Sequence, residues 1–294
     1  MDIGIALPQH GTHARPETIA AFARDAEAAG FDSLWVGDRT LAPTEPSDVY
    51  PGGTPENPLP PAHRTFLDPL TVLTVAATAT SRVRLGTSTF TAPLHPPVLP
   101  ARALTTLDRV SGGRLDVGFG VGWLRDEYTA TGADFGERGA RLDEFLDVLH
   151  GIWTQEEYGH EGTYWHIPRS HFGLRPLQQP HPPVYLGGVS PAAMRRVGRR
   201  AAGWMGVVLP AEAHAALWET ARRAAREAGR DPDALRQRLR LNPGPGSTAE
   251  EITAALSGVR DPGADCFIDL QGCVREPEEA LSLGVKVLEL LRGA

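Results

Sequence analysis

Cysteine, lysine, net positive charge and long apolar runs are all scarce in this 294-residue chain. Its two cysteines, Cys266 and Cys273, are seven residues apart, a spacing that matches no metal or redox motif and builds no disulfide scaffold. Lys286 is the single lysine, set in the expected C-terminal helix, so Schiff-base lysine chemistry is excluded. The arginine bias is that of a GC-rich genome. Lys+Arg 29 against Asp+Glu 36 gives a net charge of −7, whereas binders of nucleic acid or anionic membranes need clustered cations. No apolar run approaches the ~18 residues that span a bilayer, and no basic segment precedes an apolar one at the start. A cytoplasmic protein is expected. Its 41% hydrophobic content excludes a disordered chain.

What is present is a repeating pattern. Short apolar runs fall at Ile3–Leu7, Ser33–Gly37, Val83–Ser88, Leu115–Phe119, Val184–Leu186, Trp204–Leu209, Leu239–Asn242 and Cys266–Leu270. Amphipathic helical stretches lie between them, such as Ile19, Phe22, Ala23 and Ala26 ending at Gly30. Eight strand–helix units predict a single (β/α)8 TIM barrel over residues 1–294. Two stretches exceed the minimal repeat. Residues 42–64 hold seven prolines, and 154–182 are rich in aromatics, His and Pro. Both are expected as insertions at the barrel mouth, the first as a lid, the second folded back over the top or forming a dimer contact.

Catalytic groups of such a barrel lie just after its strands. These positions hold Gln9 and His10, Asp38 and Arg39, Ser88 and Thr89, Gly120 to Trp123 with Asp126 and Glu127, and Gly187, Gly188 and Ser190. No His-x-His or His-Glu-x-x-His pattern occurs, so no metal is expected. Alternating Gly118, Gly120 and Gly122 let a flat ligand approach the backbone. Gly187–Gly188 followed by Ser190–Pro191 forms a strand-to-helix turn whose exposed amides suit a phosphate, with Arg195 and Arg196 one turn on.

Several segments together resemble the bacterial luciferase-like monooxygenase superfamily, in particular its branch using the deazaflavin coenzyme F420. They are IGIALPQ, SLWVGDR, VRLGTST, the run TTLDRVSGGRLDVGFGVGW, and RPLQQPHPPVYLGG. The resemblance implies a (β/α)8 barrel and, for its F420 branch, a carboxylate beside the coenzyme ring, here Asp38. The following residue is usually His in the family but is Arg39 here, which removes a His-based proton relay at that position. Ser88–Thr89 matches the family's non-prolyl cis peptide. Trp123, Asp126 and Glu127 match the segment lining ring and tail, together with Gly120 and Gly122, and Gly187, Gly188 and Ser190 match the phosphate turn. The expected activity is F420-dependent hydride transfer to or from a small organic substrate, with Asp38, Arg39, His10 and Glu127 as catalytic candidates. A reduced-FMN-dependent monooxygenase and a flavin-binding barrel without activity are the alternatives. A homodimer is implied.

Overall fold

The computed structural model describes residues 1–51, 53–259 and 263–293. Its eight barrel strands are β1 (Ile3–Ala6), β2 (Ser33–Val36), β3 (Arg84–Thr87), β4 (Leu115–Gly120), β5 (Val184–Gly187), β6 (Gly203–Val207), β7 (Arg236–Leu241) and β8 (Ala264–Ile268). All are parallel to their neighbours, and the ring closes where β8 pairs with β1 through Ile3↔Cys266. The helices are α1 (Ile19–Ala29), α2 (Pro69–Ala79), α3 (Val98–Val110), α4 (Arg125–Thr131), α5 (Arg138–Thr154), α6 (Pro191–Arg200), α7 (Ala211–Glu227), α8 (Ala249–Ser257) and α9 (Pro277–Gly293). Among the described residues, no helix is long and apolar enough to cross a membrane.

Local chemistry sets the helix ends. Asp68 accepts the Thr71 N–H at 2.8 Å ahead of Pro69, and Thr248 with Glu251 forms a capping box for α8. Gly30 ends α1 at φ 94°, a conformation that costs glycine little.

Alternation along each strand divides the core in two. One set of side chains, including Ile5, Leu34, Leu85, Val117 and Leu186, packs outward on the helices. The other points into the lumen, where Trp35, Tyr185, Met205 and Phe267 form one buried layer. Trp35 stacks on Phe267 at 4.8 Å and occupies the space that a Cβ on Gly86 would need, 2.2 Å from the indole. Below this layer, at the strand-start end, Arg84 and Arg238 bracket Asp116, and Arg238 also bonds Asp265. Polar Arg236, Gln237 and Arg238 made the sequence pattern begin the seventh strand at Leu239, three residues late. Arg238 is a lumen residue, its charge matched by Asp116 and Asp265 rather than by water.

The two insertions take different places. Residues from the first reach over the mouth as a strap. The second forms an antiparallel hairpin, Glu157–Glu161 with His166–His171, that lies along α5 on the outer wall. Tyr158 covers Gly151 of α5, and Glu144 of α5 accepts the N–H groups of Thr163, Tyr164 and Trp165 at 3.0, 3.1 and 2.9 Å. No residue of 154–182 lines the mouth cavity, so the expectation that this segment folds back over the top is corrected. Its amphipathic hairpin finds its apolar partner on α5.

Candidate functional site

A cavity of about 300 Å³ opens at the strand-end face of the barrel. Of the residues singled out from sequence, His10, Asp38, Arg39, Ser88, Thr89, Gly122, Trp123, Gly187 and Gly188 line it. Glu127, Asp126, Gly120 and Ser190 do not.

Asp38 follows β2, and its Oδ2 accepts the Thr91 N–H at 2.8 Å. Burial raises its carboxyl above the ordinary carboxylate range, opposed by that hydrogen bond and by His95 and Arg39. Arg39 lies with its guanidinium 4.8 Å from the Trp123 ring centre, a cation–π contact that orients its plane. Its Nη1 is 3.1 Å from Glu127 Oε2, and the two side chains are 8% and 2% exposed. His10 stacks on Phe66 at 5.1 Å and meets His63 edge-on at 5.6 Å. Burial lowers both imidazoles, His63 to about 3, so they stand neutral at physiological pH.

The acidic pair on α4 holds the strap. Asp126 accepts the N–H and hydroxyl of Ser47 at 2.9 and 3.0 Å, Glu127 accepts the Thr40 N–H at 2.8 Å, and the Arg125 N–H donates to Asp48 at 2.8 Å. Burial raises the Glu127 carboxyl, with Arg39 as the main opposing influence. Three consecutive residues at one helix start thus clasp the segment bearing Tyr50 and His63.

Opposite the strap, the Ser88–Thr89 peptide bond is cis. The glycines that alternate along β4 and just past its end, Gly118, Gly120 and Gly122, face Thr87, Thr89 and Thr91. A Cβ on Gly120 would lie 2.3 Å from Thr89 Oγ1, and one on Gly122 would lie 2.9 Å from Thr91 Cγ2. Gly118 and Gly120 therefore admit a neighbouring chain segment, while Gly122 reaches the cavity. At the α6 turn Gly188 has φ 125°, and Ser190 Oγ caps the helix by accepting the Ala193 N–H at 3.2 Å. Arg196 is bound to Asp143 of α5 at 2.7 and 2.9 Å, facing away from the turn.

Unsatisfied polar groups gather at this end. Among the described residues, eight buried side-chain N or O atoms lack a hydrogen-bond partner, and six of them belong to His10, Arg39, His63, His95 and Arg240. All six are nitrogens, so the concentration calls for a ligand able to match them. Among the described residues, no three His, Cys, Asp or Glu side chains are grouped to hold a metal ion.

A family profile for luciferase-like monooxygenases matches residues 1–280. The chain belongs to the luciferase-like monooxygenase family. An uncharacterized protein of Mycobacterium tuberculosis is 35% identical over 196 residues, 66% of this chain and 69% of that one. The FMNH2-dependent dimethylsulfone monooxygenase of Pseudomonas putida is 37% identical over 111 residues, 37% of this chain and 30% of that enzyme. The structure of an F420-dependent secondary alcohol dehydrogenase with an F420–acetone adduct superposes with a TM-score of 0.78 at 17% identity, covering 99% of both chains, a likeness of fold.

Within this luciferase-like barrel, sequence reasoning missed Arg240, Tyr50, His63 and Phe66. Arg240 donates to Ser88 O at 3.2 Å and to Asp269, tying β7 to the cis peptide across the mouth. Its signal was present: Arg236, Arg238 and Arg240 alternate, as residues on one face of a strand must. The strap residues carried no such signal, because only its folded path brings them over the cavity.

Proposed function

We propose that this luciferase-like protein is an F420-dependent oxidoreductase that transfers a hydride between the deazaflavin and a small organic substrate with a reducible carbonyl, alkene or imine bond. The observation that carries the reading is the array of unpartnered nitrogens around a glycine-walled cavity. A flat heterocycle that carries both acceptor and donor atoms fits that wall, because the arginine nitrogens donate while each neutral imidazole nitrogen donates or accepts according to its tautomer. Ser88, Thr89, Gly122, Gly187, Gly188 and Arg240 would hold it. When bound, the deazaflavin supplies a carbon that gives or takes the hydride.

The chain's own residues do the rest. Burial favours the protonated form of Asp38, which suits it to hand a proton to the reduced substrate. Arg39 keeps its charge at any working pH and orients a negative or polar group of the substrate. Glu127, engaged by Arg39 and Thr40 away from the cavity wall, acts as a positioning residue. Tyr50, His63 and Phe66 exclude water from the reacting atoms.

Reduced-FMN-dependent monooxygenation is the second reading, favoured by the 37% identity to the FMNH2-dependent enzyme over its matched segment. Anaerobic titration of the protein with F420 and with FMN, followed by quenching of tryptophan fluorescence, decides between them, since Trp123 lines the cavity. F420 binding with no detectable FMN binding is expected. The reverse result overturns the F420 reading, and binding of neither overturns both.

A further inference from the structure

We propose that Arg39 is the anchor for a carboxylate, so that the substrate is a compact organic anion. The proposal rests on the reading of the mouth as a cofactor and substrate cavity, and adds the charge of the second ligand. Arg39 is withdrawn from water, with a side chain 8% exposed, yet it lines the cavity. A guanidinium so placed cannot shed its charge and has five N–H groups to satisfy. Among the described residues it donates no hydrogen bond: its buried Nε has no partner, and its buried Nη1 has only the ion pair with Glu127. Glu127 Oε2, 3.1 Å from Nη1, balances the charge but lies outside hydrogen-bond geometry, while Oε1 accepts the Thr40 N–H. The Trp123 ring holds the guanidinium carbon 4.8 Å from its centre, and the Nε edge is left without a partner.

A carboxylate matches such an edge with two parallel hydrogen bonds. Arg240 does not compete for this role, because it already donates to Ser88 O and Asp269 on the opposite wall. Neutral His10 and His63 line the same cavity and add no charge, and the charge of Arg240 is met by Asp269, which suits a single negative charge better than a phosphate. The cavity, about 300 Å³ in all, limits the partner to a small acid once a flat ring shares it.

Benzoate and its neutral isostere benzamide test the assignment. Titration of the purified protein, read by tryptophan fluorescence and calorimetry, should show benzoate binding about tenfold more tightly. Arg39→Gln should abolish the preference. Arg39→Gln combined with Glu127→Gln should do the same without leaving an unpaired buried carboxylate. Equal affinities in the unmodified protein, or a preference that survives in both variants, overturn the proposal. Cofactor titration of the same variants separates the two readings. Variants that bind F420 or FMN normally but lose the benzoate preference support the anchor. Loss of cofactor binding with the preference intact overturns it and leaves the cofactor reading standing. A benzoate preference in an unmodified protein that binds neither cofactor supports the anchor and overturns hydride transfer.

Discussion

At the strand-start end of the barrel, Arg84 and Arg238 engage both oxygens of Asp116, and Arg238 goes on to Asp265. At the mouth, Arg39 stands beside Glu127 without hydrogen-bonding it, and Arg240 keeps an unpartnered Nε although Asp269 and Ser88 O take its other nitrogens. The same residue types occur at both ends, separated by the Trp35, Tyr185, Met205 and Phe267 layer. Where charges saturate one another they specify the fold; where they leave valences open they wait for a ligand.

Breaking the saturated end should have the largest effect. Asp116→Ala leaves two arginines without their shared partner, and is expected to destabilise the protein by about 3 kcal/mol, the low end of the range because Arg84 is 35% exposed. Chemical denaturation measures this, and cofactor affinity per folded molecule should not change. A loss of cofactor affinity at unchanged stability would erase the contrast between the ends.

Asp38→Asn inverts the pattern. Turnover should fall roughly 10²–10⁴-fold if the carboxyl moves a proton. Stability should rise, because the native value lies above the unfolded one. Ionising Asp38 therefore costs the folded state more as pH climbs from the ordinary aspartate value of 3.8 through the raised native value, and the cost vanishes in acid. Denaturation curves from pH 3 to pH 8 should show the advantage of the Asn variant growing with pH and then levelling. An advantage that shrinks with pH would contradict the assignment.

The smallest effect is expected at the clasp. Asp126→Ala removes two hydrogen bonds to Ser47, costing roughly 1 kcal/mol of strap anchoring, visible as up to about a fivefold rise in KM at constant kcat. A drop in kcat instead would place Asp126 in the chemistry.

The repeat of strands and helices was legible because each unit carries its own periodicity, local in sequence. Even β7, blurred by Arg236 and Arg238, was found at its apolar end. Site residues at strand ends, Asp38 and Gly187 among them, were legible for the same reason: their position follows from the strand. Asp126 and Glu127 both match the segment expected to line ring and tail, Glu127 also as a catalytic candidate, yet one meets Ser47 near the surface and the other is 2% exposed beside Arg39. That distinction depends on how the strap lies, as does the arrival of His63 beside His10. Contacts made across fifty or more residues leave no local trace. The hairpin at 157–171 was likewise visible as an insertion, while its seat on α5 depended on Tyr158 finding Gly151.

The clasp between α4 and the strap has an evolutionary consequence. It grips main-chain N–H groups, those of Thr40 and Ser47 on one side and of Arg125 on the other. Every amino acid but proline presents that handle, whatever its side chain. Tyr50 and His63, which line the cavity, lie beyond these grips and lend them no side chain, so descendants of this chain can exchange that wall while the docking points at Thr40, Ser47 and Asp48 stay put.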